Sequence, residues 1–92
     1  MMVFSIEIPR PFFTAFDCPI AAAIAKKLGV VPGRVNVAMN RIALYDEEGD
    51  HVEAWVPTPS RIANLIADED PPSEALVAIP DIQNWNREGV KP

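Results

Sequence analysis

Apolar and polar residues alternate along VFSIEIP, with Phe4, Ile6 and Ile8 in one phase and Val3, Ser5 and Glu7 in the other. This period of two predicts a half-buried strand. Pro9 and Pro11 end it, because neither can donate to a strand ladder. The run FFTAF then reads as an apolar connector packed under the domain. In DCPIAAAIAKKLG the period changes to that of a helix. Ile20, Ile24 and Leu28 form its stripe, and Ala21 and Ala23 leave room for close approach to a sheet. Asp17 is placed to cap the helix, Pro19 suits its first turn, and Lys26 and Lys27 sit at its negative end. Gly29 is the stop, expected in a left-handed conformation.

The next stretch, VVPGRVNVAMNRIALYDEEGDHVEAWVP, carries β patterning. Val35, Val37 and Met39 alternate, and Ile42 and Leu44 continue in the opposite parity. The phase slips at Asn40-Arg41, where a tight turn or a bulge belongs. DEEGD reads as a hairpin tip with Gly49 supplying the positive φ. The return strand sets Val52, Ala54 and Val56 on one face and Glu53 and Trp55 on the other. Thr58 is the expected cap of a second helix, Pro59 its first residue, and Ile62, Leu65 and Ile66 its buried stripe. The acids of DEDPP oppose the dipole at its C-terminus, so the helix is expected to stop near Ala67 and leave them in a loop. EALVAIP is a last strand. The order is β-α-β-β-(β)-α-β: an α+β domain over residues 1–80, with a mostly antiparallel sheet of four to five strands and two helices on one face. DIQNWNREGVKP reads as a polar tail over residues 81–92.

Composition narrows the class. Ninety-two residues make one domain that folds alone with a modest margin. No apolar run approaches the roughly 18–20 residues of a membrane span, and the N-terminal stretch lacks the features of a signal peptide. With one cysteine and one histidine there is no internal disulfide and no structural zinc site, which suits a reduced, cytoplasmic protein. The net charge of −5 is unevenly spread. Residues 1–45 hold five cations against two acids, a balance of +3. Residues 46–74 hold nine acids against Arg61 alone, a balance of −8. Such a segment repels phosphates and attracts basic protein surfaces, unless it is only a solvated, solubilising face.

Candidate chemistry is sparse. Cys18 in a first helical turn has the position of an activated thiol, but Asp17 beside it disfavours a second anion, so it reads first as a small buried residue. His51 lies at a hairpin tip among acids, and nothing in the pattern brings it to Cys18. DEEGDHVE lacks the spacing of an EF-hand. Phosphate-cradling loops and basic stripes interleaved with aromatics are both missing. These features imply no cofactor, no metal, no direct nucleic-acid binding and no enzyme. The tryptophans Trp55 and Trp85 are candidate interface anchors, or else Trp85 folds back onto the sheet and Trp55 covers a core edge.

Cys18-Pro19-Ile20-Ala21, the Val35-Asn36-Val37 strand and the Thr58-Pro59 helix start resemble small phage- and prophage-encoded proteins with a "CPIA" helix start, over roughly residues 17–80. The acidic loop after Ala67 and the tail depart from that pattern. The resemblance implies a phage origin and a class that looks like small acidic inhibitors of host machinery, anti-CRISPR proteins among them. The resulting expectation is a protein-binding inhibitor in the host cytoplasm. It would use Asp46, Glu47, Glu48, Asp50, Asp68, Glu69 and Asp70, with Trp55 or Trp85 as anchor, to occupy the basic, nucleic-acid-binding face of a host protein or ribonucleoprotein. The rival expectation is a virion structural or assembly protein that self-associates, as a homodimer for example, with the sheet edge or the Trp85 tail as its contact surface.

Overall fold

A computed structural model describes residues 1–8, 19–70 and 72–87. The fold is α+β, with two helices and six strands shared between two antiparallel sheets. In chain order the elements are β1 (Met2–Glu7), α1 (Pro19–Leu28), β2 (Val35–Val37), β3 (Arg41–Tyr45), β4 (Val52–Pro57), α2 (Ser60–Ala67), β5 (Glu74–Ile79) and β6 (Asn86–Arg87). Short 3₁₀ turns precede β2 and β6.

The strands expected to share one sheet are divided. β1 and β5 form a two-stranded ribbon, with Met2 opposite Ile79 and Glu7 opposite Glu74. The bond from the Ile8 amide to the Ser73 carbonyl extends it, at 2.8 Å. The other sheet has the order β2-β3-β4-β6. The phase slip at Asn40-Arg41 is a turn between β2 and β3. A bulge does occur, further on, between Leu44 and Tyr45.

One core joins the two sheets and both helices. Ile6, Val77 and Ile79 reach it from the ribbon, Ile42, Ala54 and Val56 from the larger sheet, Ile20 and Ile24 from α1, and Ile62 and Leu65 from α2. Gly29 ends α1 at φ +75°, a conformation costly for residues with a Cβ. Helix α2 ends at Ala67; Asp68 follows in extended backbone, and Glu69 and Asp70 lie in a bend.

Two expectations are corrected. Thr58 does not cap α2, which starts at Ser60 with Pro59 in the cap position. Its hydroxyl instead donates to the Ala38 carbonyl at 2.7 Å, tying the end of β4 to the β2–β3 turn. The presumed polar tail belongs to the domain as far as Arg87: β6 pairs with Ala54 and Trp55 of β4, and Trp85 is only 3% exposed. The FFTAF connector, Asp17 and Cys18 lie outside the described residues, as do residues 88–92.

Candidate protein-binding surface

The β3–β4 hairpin holds most of the predicted surface. Its tip is built around Asp46. The Asp46 amide donates to the His51 carbonyl at 2.9 Å, and the Gly49 amide donates to the Asp46 carbonyl at 3.0 Å. The Asp46 side chain accepts from the Asp50 amide at 3.0 Å. Gly49 takes φ +77°, which closes the turn. Partial desolvation pushes the Asp46 carboxyl up, but the amides of Asp50, Gly49 and His51, with the His51 charge, outweigh it and hold the group below its usual value. Asp46 is therefore the scaffold of the tip. Glu47, Glu48 and Asp50 are exposed around it.

The base of the hairpin is braced by a residue outside it. Arg34, in the 3₁₀ turn before β2, donates from Nε to the Tyr45 carbonyl at 2.9 Å and from a terminal nitrogen to Glu53 Oε2 at 2.9 Å. The first bond lands beside the bulge, where the ladder is irregular. The second takes Glu53 into an ion pair. One cation thus ties the turn before β2 to both strands at the base of the hairpin.

Trp55 lies on the outer face of the same hairpin, half-buried, with Ala43 opposite it on β3 and Asn86 on β6. The Arg41 guanidinium carbon sits 6.0 Å from the Trp55 ring centroid, at the outer limit of a cation–π contact. At ~3.3 Å per residue, Trp55 stands about 10 Å along the strand from Val52 at the base of the tip. Exposed carboxylates and an aromatic ring therefore share one rigid element.

No protein-family model, no curated protein and no solved structure matches this chain.

The remaining predicted residues separate from this hairpin. Asp68, Glu69 and Asp70 are exposed at the exit of α2, a different element, where Asp68 Oδ1 accepts from the Asp70 amide at 2.9 Å. Trp85 is corrected as an anchor: its ring is in the core, and its indole N–H donates to the Pro80 carbonyl at 2.8 Å. His51 is exposed at the end of the tip. Among the described residues, no cluster of three or more His, Cys, Asp or Glu side chains could hold a metal ion, and no helix is long and apolar enough to cross a membrane. Sequence reasoning missed Arg34 and Arg41. Each acts across strands, through a register that no local pattern encodes.

Proposed function

We propose that this chain is a non-enzymatic protein-binding module, phage-derived in keeping with its CPIA resemblance, that inhibits host machinery. Its β3–β4 hairpin would enter a basic, nucleic-acid-binding face of a host protein or ribonucleoprotein in the cytoplasm, as an anti-CRISPR inhibitor does. Glu47, Glu48 and Asp50 speed the encounter by charge, and Trp55 holds the complex once the surfaces meet. Asp68, Glu69 and Asp70 add to the field from the segment that follows α2. The observation that carries this reading is the hairpin itself, with exposed acids at its tip, a half-buried tryptophan on its outer face, and Arg34 fixing its base. A rigid element of this kind loses little conformational freedom on binding.

The test is affinity capture from bacterial lysate with the intact protein as bait, at low and high salt, beside a Glu47→Lys/Glu48→Lys/Asp50→Lys variant. A nucleic-acid-handling complex should be retained at low salt and lost both at high salt and with the variant. Capture that survives the charge reversal would sink the proposal. Trp55→Ala should slow encounter little and speed dissociation strongly.

A further inference from the structure

We propose that the outer face of the β1–β5 ribbon, with the adjoining side of α1, is the contact surface for a second copy of this chain. The inference is independent of the hairpin reading and uses none of its residues. The inner phase of the ribbon feeds the core, and the outer phase carries Val3, Ser5 and Glu7 of β1 with Glu74, Leu76 and Ala78 of β5. Val3 is 54% and Leu76 55% exposed, and they lie diagonally across the pair, within reach of one another. Two of the five exposed large apolar side chains among the described residues therefore stand on this one face.

The charges beside that patch indicate what covers it. Glu7 and Glu74 face each other directly across the ladder, an arrangement that is unfavourable within the monomer. Lys26 and Lys27 stand on α1 alongside β1. Glu7, Glu74 and Lys26 border one open groove, and Lys26 and Lys27 border the adjoining one with Phe4 and Ser5. Among the described residues none of these four side chains makes an ion pair or a hydrogen bond. The surface thus carries an acid pair, a lysine pair and an apolar patch side by side, with neither charge paired among the described residues.

A partner of one sign satisfies only half of this. A second copy satisfies all of it, because a two-fold axis lying in the face between the two charged groups sets each acid pair against the other copy's lysines. The contact is isologous and closes at two. It is also small. A ribbon of two short strands with one helix flank falls at or below the low end of specific interfaces, so a weak equilibrium on the order of 10–100 μM is expected.

Sedimentation velocity of the full chain, from ~1 to ~500 μM, tests this range. A monomer–dimer equilibrium is expected. Leu76→Lys should raise the dissociation constant about tenfold or more, since it buries an unpaired charge. Lys26→Glu/Lys27→Glu and Glu7→Lys/Glu74→Lys should each abolish self-association, and the two variants mixed should form a heterodimer. All of these positions are exposed or flank an open groove, and circular dichroism confirms that each variant is folded. A wild-type chain that stays monomeric at the highest concentration overturns the proposal. So does a dimer indifferent to Leu76→Lys, or a charge-variant mixture that shows no heterodimer.

Discussion

The larger sheet and the ribbon are built from the same kind of alternating strand, yet they close differently and face solvent differently. β2, β3 and β4 follow one another through the short links 38–40 and 46–51. The ribbon instead joins β1 to β5 across almost the whole described chain. Outward-facing positions contrast as well. In the larger sheet, Ala43 stands opposite the half-buried Trp55 and is only 2% exposed. On the ribbon, Val3 and Leu76 have no comparable neighbour and lie open. Local pairing costs little loop entropy and fixes register early, whereas distant pairing must wait for the core to assemble. The hairpin is therefore paired mainly through neighbouring sequence, with Arg34 bracing its base. The ribbon depends on the rest of the fold and keeps a face for another surface.

The sharpest way to break this contrast is to cut the core on each side of it. Ile42 and Ile79 are both fully buried, one per sheet, in a single cluster. Ile42→Ala and Ile79→Ala should each destabilise the domain by about 2–5 kcal/mol. Urea unfolding followed by circular dichroism and by tryptophan emission should give one coincident transition in both variants. Separate transitions would mean that the ribbon is not cooperative with the larger sheet. Next in size is the brace under the hairpin. Arg34→Ala removes a bond to the Tyr45 carbonyl and an ion pair that is partly solvent-screened, for an expected loss of about 1–2 kcal/mol. Amide exchange should quicken at Tyr45 and Asp46 and change little in the ribbon. A uniform change across both sheets would count against a local role.

Smaller still is the like-charge pair at the end of the ribbon. At low salt and low protein concentration, Glu74→Gln should stabilise the chain by about 0.2–1 kcal/mol, and the gain should fade as salt rises. The smallest effect belongs to Asp46. Its carboxyl titrates lower in the folded chain than in the unfolded one. The stability it contributes is therefore complete above the unfolded value and is lost as pH falls through the folded one. Acid titration of Asp46→Asn, read by circular dichroism, should show a smaller loss of stability on that side than wild type. An identical acid limb would remove Asp46 from the role of tip scaffold.

What the sequence discloses follows the same division. Gly29 and Gly49 are legible as positive-φ positions because the requirement is local, and Ile6 and Ile8 declare their face by spacing alone. The turn at Asn40 shows as a change of parity. The end of α2 shows in acids that a helix C-terminus resists. Thr58 misleads because its sequence context suits a cap, while the turn at Ala38 offers its hydroxyl a stronger partner from a distance. β6 is two polar residues long, too short to carry a period. Trp85 sits in a polar stretch, and only the 3₁₀ turn at Ile82–Asn84 swings it into the core. The acids of the candidate surface are readable as exposed. That Glu47, Glu48 and Asp50 share an element with Trp55, and Asp68–Asp70 do not, is a matter of topology.

The two tryptophans also divide the molecule optically. Trp85 is sealed among aliphatic side chains with its indole N–H on the Pro80 carbonyl, while Trp55 faces outward beneath a guanidinium. The buried indole emits toward the blue and shifts only when the chain melts. The outer one answers to whatever settles on the hairpin. With Trp85→Phe as background, a single fluorophore reports docking, and with Trp55→Phe another reports folding, so the chain carries separate native probes for its surface and its interior.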